Sequence, residues 1–142
     1  MAILKRSADF RRQVITAYDE RCAASGFGLG RVPVSKAAGL LDAAHIRPVS
    51  YDGSDDVSNG VPLTPTLHRL FDAGLFTIAY GDGRPEVRVS PQLERAMILS
   101  EERDFRLNLR DGLRLTVPAD RRAWPNPEQL RFHQARIFRA SA

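Results

Sequence analysis

The sequence is poor in several features, and each shortage excludes a class of protein. A single cysteine, Cys22, among 142 residues excludes an internal disulfide and any zinc site built from paired cysteines. The longest apolar runs, such as residues 75–80, fall far short of the roughly 18 residues that a membrane-spanning helix needs. The apolar stretch within residues 1–6 is too short for a secretory signal. We therefore expect a cytoplasmic protein that makes no membrane contact.

Lysine is also scarce, although the chain is basic. Lys5 and Lys36 are the only lysines, so arginine supplies 19 of the 21 basic residues, and the formal net charge is +4. The planar guanidinium group binds phosphate oxygens bidentately, which suits a nucleic-acid partner. The nucleotide composition of a source genome explains an arginine bias at least as well. The charge alone therefore leaves the partner open.

Length and patterning indicate a single α+β domain over residues 1–142. The content of 43% hydrophobic and 27% charged residues is that of a globular protein. Helices are predicted over residues 7–21, 65–73, 91–99 and 127–139, with Ser7 and Thr64 as caps of the first two. Strands are predicted over residues 43–49, 61–63, 75–80, 86–89 and 113–117. Residues 26–34 are expected to form a loop, and residues 36–41 are ambiguous. The central unit is a strand–loop–strand–helix over residues 43–73.

Chemistry-bearing residues are concentrated in this central unit. His45 lies on its first strand, Asn59 in its loop and His68 on its helix, at separations of 14 and 9 residues. Three longer strings accompany them: residues 41–48 (LDAAHIRP), 59–63 (NGVPL) and 67–75 (LHRLFDAGL). Together they resemble the HNH (ββα-metal) endonucleases, in the branch found in bacterial restriction-type nucleases. Residues 7–26 and the segment from Gly112 to His133 also resemble that branch.

The resemblance implies a metal-dependent endonuclease that hydrolyses DNA phosphodiester bonds, of the restriction or modification-dependent type. It implies that His45 is the general base, and an imidazole with a pKa near 6.5 suits that role. His68 would bind the cation, and Asp72, four residues later on the same helix face, would be a second ligand. The implied role of Asn59 is to brace the loop or to ligate the metal. Mg²⁺ or Mn²⁺ is expected, and the family also accepts Zn²⁺, Ni²⁺ or Co²⁺.

One position departs from the family pattern. Many members place a metal-ligating Asp or His directly before the base, where this chain has Ala44. Asp42 shares the strand parity of Ala44 but lies about 6–7 Å away along the strand, so Asn59 and Asp72 are the better candidates to fill the gap. The full ligand set stays open. Arg47 and Arg69 are expected to contact DNA phosphates, which positions the duplex without reading its sequence.

Several other interpretations remain open at this stage. The ββα unit could be a non-catalytic DNA-binding module, or the chain could be a nuclease toxin. A homodimer would supply the two active sites that cutting both strands usually requires, and the chain could be part of a larger restriction protein. Asn59-Gly60 is a good turn dipeptide regardless of function. Packing or a hydrogen bond is the expected role of His133, and an ion pair with a neighbouring arginine is the alternative for Asp72.

Overall fold

Four helices and two antiparallel strand pairs make up the part of the chain that the computed structural model describes, residues 2–28, 40–99 and 109–141. The helices are α1 (Ala2–Ala17), α2 (Pro65–Asp72), α3 (Pro91–Leu99) and α4 (Pro127–Arg136). The strands are β1 (Asp42–His45), β2 (Gly60–Leu63), β3 (Phe76–Gly81) and β4 (Arg84–Val89). None of the helices within these ranges is long and apolar enough to cross a membrane. The predicted α+β class is confirmed.

The predicted strand–loop–strand–helix unit is present as β1, β2 and α2. β1 pairs antiparallel with β2, in a register that opposes Asp42 to Leu63 and His45 to Gly60. α2 follows β2 after a single residue and has Pro65 in its first turn, where the missing N–H costs nothing. Gly74 ends the helix region with a φ of +75°, a left-handed conformation that favours glycine. The unit therefore places α2 beside the end of β1.

Helix α1 packs directly across the β1–β2 pair. Three apolar side chains at helical spacing on its predicted inner face are buried, Phe10, Val14 and Ile15, together with Tyr18 just after the helix ends. A Cβ on Gly60 would meet the side chains of Val14 and Phe10, so the glycine in β2 permits this close approach. One hydrophobic cluster then continues from Ile15 through β1, β2 and α2 to Leu130 of α4.

The β3–β4 hairpin carries the C-terminal helix. Its turn residues Asp82 and Gly83 both have positive φ, at 52° and 78°, which fits the type I′ turn that two-residue hairpins favour. α4 packs on β3 and begins after Asn126, whose side-chain oxygen accepts from the backbone N–H groups of Glu128 and Gln129. The hairpin and the last two helices were placed correctly by the sequence pattern, although α4 ends at Arg136 rather than at 139.

The predicted start of α1 is wrong, whereas Thr64 occupies the cap position of α2 as predicted. α1 begins at Ala2, so Ser7 lies inside the helix and does not cap it. Residues 2–6 include good helix formers, which extend the helix upstream. The helix ends at Ala17 rather than at 21, because Asp19 and Glu20 adopt left-handed φ values of 56° and 59°. Thr64 precedes α2 as expected, but its side chain makes no capping hydrogen bond.

Two predicted strands are also shorter than expected or missing. β1 ends at His45, because the chain turns at Pro48 into a 3₁₀ turn over Val49–Tyr51. Residues 113–117 form no strand; Arg114 makes one isolated bridge to Glu86. Of the predicted loop 26–34 and the ambiguous segment 36–41, residues 29–39 lie outside the described ranges.

His133 joins α4 to the rest of the core. The ring is buried, with 1% of its surface exposed, and stacks on Phe71 at a centroid distance of 3.9 Å. Nε2 donates to the Phe71 carbonyl at 3.0 Å, and Nδ1 accepts from the Thr77 hydroxyl at 2.7 Å. Burial lowers the pKa of His133 to about 4, so the ring is neutral at physiological pH. These contacts are those of a packing residue.

We predict that protonation of His133 destabilises the fold in acid. The unfolded chain binds this proton near pH 6.5 and the folded chain only near pH 4, so the free energy of unfolding falls as pH drops through that window. The loss between pH 7 and 4.5 should be about 2–3 kcal/mol. His133→Gln should remove that part of the pH dependence, as measured by urea unfolding at both pH values. An identical pH dependence in both proteins would contradict the prediction.

Candidate active site

The loop between β1 and β2 is closed by the side chain of Asn59. This residue is 1% exposed, and its amide nitrogen donates to the carbonyls of Ser54 at 2.8 Å and Arg47 at 3.1 Å. Its amide oxygen accepts from the backbone N–H of Arg47 at 2.9 Å. Both N–H groups of the amide are therefore used inside the protein. Of the two roles implied for Asn59, this geometry is that of loop bracing.

His45 lies at the end of β1 and is oriented by two contacts. Its ring stacks on Phe10 of α1, with a centroid distance of 4.0 Å and an angle of 10° between planes. Its Nε2 lies 2.9 Å from a carboxylate oxygen of Asp55, and the side chain is 23% exposed. A carboxylate only accepts, so Nε2 carries the hydrogen. In the neutral ring, Nδ1 then carries the lone pair that could accept a proton.

His68 lies on α2 between two carboxylates. Its Nδ1 is 2.9 Å from Oδ2 of Asp42, and its Nε2 is 3.1 Å from Oδ2 of Asp72. The β1–β2 register explains the first contact: Asp42 opposes Leu63, just before α2 begins, so its side chain reaches the first turn of the helix. The second contact spans one helical turn, as the spacing predicted.

The two carboxylates hold His68 in its charged form. The hydrogen bond to Asp72 is the largest cause, and together with Asp42 it raises the pKa of His68 to about 9 against the opposing effect of partial burial. At neutral pH both ring nitrogens therefore donate. A cation bound at Nε2 would take the place of the proton there, while Nδ1 continued to donate to Asp42.

His45, His68 and Asp72 line one open cleft of about 540 Å³. Its other lining residues are Ala43, Pro48, Val49, Tyr51, His133 and Ile137. The cleft therefore brings together three of the six predicted site residues, and three of the four predicted to act in catalysis or metal binding. Asn59 is buried in the loop behind it, Arg47 is half-buried beside Tyr51, and Arg69 is exposed on α2 outside the lining.

The donor set fits a divalent cation held by few protein ligands. Within the described residues, no three His, Cys, Asp or Glu side chains form a group that could hold a metal ion. Asp42 and Asp72 contact opposite nitrogens of His68, which separates them. The pair of His68 Nε2 and Asp72 Oδ2 suits an ion that completes its coordination with water and substrate phosphate, as Mg²⁺ usually does. Asp42 then occupies the position of the carboxylate that orients a ligating histidine.

Sequence reasoning missed two carboxylates of this site. Asp55 was not considered, although the acidic pair Asp55-Asp56 in the polar run between the strands was a signal. Asp42 was judged a poor substitute for a ligand at position 44, because only its separation from Ala44 along the strand was considered. The contact that it makes is instead across the unit, to α2.

Comparison with known proteins agrees with this geometry. Residues 22–79 match the sequence profile of the family described as HNH endonuclease, a segment that includes β1, β2, α2 and the cleft residues His45, His68 and Asp72. The match covers 58 of the 142 residues and shows that this segment is similar to the HNH endonuclease family. The resemblance stated from the sequence is thus confirmed.

The fold also matches a solved structure beyond the HNH segment. A protein named as the modification-dependent TagI restriction endonuclease superposes with a TM-score of 0.59 and 22% sequence identity. The match covers 92% of this chain but 38% of that protein, so this chain spans well under half of its structural neighbour. At this identity the likeness establishes the fold. No curated protein matches the sequence.

We predict that Asn59→Ala destabilises the protein by about 2–4 kcal/mol, because it leaves three partly buried backbone groups without their partner. Chemical denaturation measures the difference. Ser58→Ala is the matched control, since it changes the neighbouring residue and should alter stability by less than about 0.5 kcal/mol. Equal stability of the two variants would refute the bracing role.

Proposed function

We propose that this chain is a metal-dependent endonuclease that hydrolyses phosphodiester bonds in DNA, and that residues 1–142 form one domain. One observation carries the proposal. The open cleft of the ββα unit presents an oriented imidazole, His45, together with an imidazole–carboxylate pair, His68 and Asp72. The match of residues 22–79 to the HNH endonuclease family supports the same chemistry. The continuous hydrophobic cluster from α1 to α4 supports a single domain.

His68 and Asp72 are the proposed metal ligands, with Mg²⁺ or Mn²⁺ as the favoured cation. A bound divalent cation supplies Lewis acidity toward the phosphate oxygens and the leaving group. Asp42 accepts from Nδ1 of His68, which leaves Nε2 as the nitrogen directed to the ligand position. Zn²⁺, Ni²⁺ and Co²⁺ fit the same nitrogen–oxygen pair.

His45 is the proposed general base. Asp55 accepts from Nε2, which orients the ring and assigns the lone pair to Nδ1. Nδ1 takes a proton from the attacking water, and the Asp55 carboxylate stabilises the imidazolium that forms. Phe10 limits rotation of the ring through its stacking contact. Asn59 acts on His45 through the loop, by closing the segment that carries Asp55.

DNA is the proposed partner, with Arg47 and Arg69 as phosphate contacts. The family and the basic composition support this assignment. The structural neighbour is a modification-dependent restriction endonuclease by name, which supports a restriction or modification-dependent role for this chain. The match covers only 38% of that protein, which supports a place for this chain within a larger restriction protein. A homodimer would supply one active site for each strand. We place the activity in the cytoplasm.

We predict that the wild-type chain nicks supercoiled plasmid in the presence of Mg²⁺ or Mn²⁺, and that nicking stops when EDTA removes the cation. His45→Ala should lower the rate about 10²–10⁴-fold, because the water then lacks its base. Gel quantification of nicked plasmid measures both effects, on methylated and on unmethylated DNA. Equal rates for the wild type and His45→Ala would remove the base assignment. Salt-dependent DNA binding with no nicking under any cation would instead identify a binding module.

A second prediction concerns the cation. His68→Ala should abolish measurable metal binding in calorimetry, and Asp42→Asn should weaken it about 10–100-fold, because the ligating ring loses its orienting carboxylate. Asp82→Asn is the control, since this carboxylate lies in the β3–β4 turn and Asn tolerates its left-handed φ of 52°. Unchanged binding by His68→Ala would refute the ligand assignment.

A further inference from the structure

Two arginines from different elements converge on one aromatic ring beside the cleft. The guanidinium carbon of Arg47, just after β1, lies 4.6 Å from the centroid of the Phe132 ring on α4. That of Arg136, one turn further along α4, lies 5.7 Å from the same centroid. Guanidinium groups at these distances interact favourably with an aromatic ring. The ring thus holds two cations close together.

The position of Arg47 is strongly constrained. Asn59 bonds its backbone N–H and carbonyl, and its side-chain Nε donates to the Tyr51 carbonyl at 2.6 Å. Stacking on Phe132 orients the rest of the guanidinium plane. The remaining N–H donors of the Arg47 guanidinium group are therefore oriented even without a ligand.

The described residues provide no carboxylate partner for either arginine. The arginines of this part of the chain that pair with carboxylates include Arg12, Arg88 and Arg122, and no described carboxylate pairs with Arg47 or Arg136. Two like charges beside one ring repel each other unless an anion joins them. Guanidinium groups bind phosphate oxygens through paired N–H donors, so a phosphate is the anion that this pair fits.

The cluster is continuous with the proposed active site. Tyr51 contacts the Phe132 ring at a centroid distance of 5.3 Å and also lines the cleft with His45 and His68. Tyr51 is 44% exposed, and Arg136 is exposed on α4. An anion held by the cluster would therefore lie beside the cleft, at its Tyr51 rim.

We propose that Arg47, Phe132 and Arg136 form a phosphate clamp for the DNA strand, holding a backbone phosphate next to the one that is cleaved. The clamp rests on the proposed function, and it adds α4 to the DNA-binding surface. Arg47 and Arg136 contact the phosphate, while Phe132 is a positioning residue that holds the two guanidinium planes. Because it contacts the backbone, the clamp adds affinity without sequence preference.

The test is the salt dependence of DNA affinity. Binding of a short fluorescein-labelled duplex is followed by anisotropy in Mg²⁺ at several salt concentrations, with His45→Ala in all proteins to prevent cleavage. Adding Arg136→Ala should weaken binding about 5–10-fold near 0.1 M salt and reduce the slope of log affinity against log salt by about 0.9. Arg131→Ala, which removes the same charge from another face of α4, is the matched control and should change both values little. Equal effects of the two substitutions would overturn the clamp.

Phe132 provides an independent readout. Phe132→Leu should weaken binding about 2–5-fold with an unchanged salt slope, because it removes the stacking surface but no charge. Phe132→Tyr, which keeps an aromatic ring, should restore wild-type affinity. Thermal unfolding establishes that each variant folds. Wild-type affinity in folded Phe132→Leu would overturn the positioning role.

The binding experiment and the plasmid-nicking experiment can give opposite results, so the clamp and the proposed function are tested independently. A protein that binds DNA through Arg136 without nicking plasmid would disprove the nuclease proposal and support the clamp. A protein that nicks plasmid while Arg136→Ala keeps the full salt slope would support the nuclease and disprove the clamp.

Discussion

The buried amide of Asn59 is the contact on which the rest of the site depends. It bonds three backbone groups of the loop between β1 and β2, and so determines the path of residues 47–54. Asp55, which orients His45, follows directly in that loop. Arg47, which stacks on Phe132, is held by the same amide. A buried amide is costly to desolvate unless it is fully bonded, so this network favours one loop conformation over its alternatives.

A second constraint is the pairing of each cleft imidazole with a carboxylate. Asp55 contacts one nitrogen of His45, and Asp42 contacts one nitrogen of His68. A neutral imidazole has two possible tautomers, and a carboxylate acceptor selects the one that places the hydrogen toward it. The same kind of contact therefore prepares His45 for its proposed role as a base and His68 for its proposed role as a metal ligand. Two chemically identical side chains acquire different proposed roles because Asp72 adds a second acceptor at His68 alone.

Local sequence signals predicted the elements that depend on short-range physics. Pro65 and Gly74 bracket α2, which was predicted over residues 65–73. The signals failed where a backbone conformation or a distant contact decided the outcome. The left-handed residues Asp19 and Glu20 end α1 early. Residues 113–117 make only the bridge from Arg114 to Glu86, with hydrogen bonds from Val87 to Leu113 and from Leu115 to Pro85 on the outer edge of β4.

By itself, the sequence determined the order of the ββα unit, the resemblance to the HNH family and the i, i+4 spacing of His68 and Asp72. Each of these depends on residues close together in the chain or on motif strings. Only the tertiary structure decided which carboxylates orient the histidines and that Phe132 lies under Arg47. Those contacts join residues 10, 26 and 85 positions apart, and they follow from strand register and helix packing. Periodicity carries no information about either, since a one-residue change of register would send Asp42 to the other face of the strand.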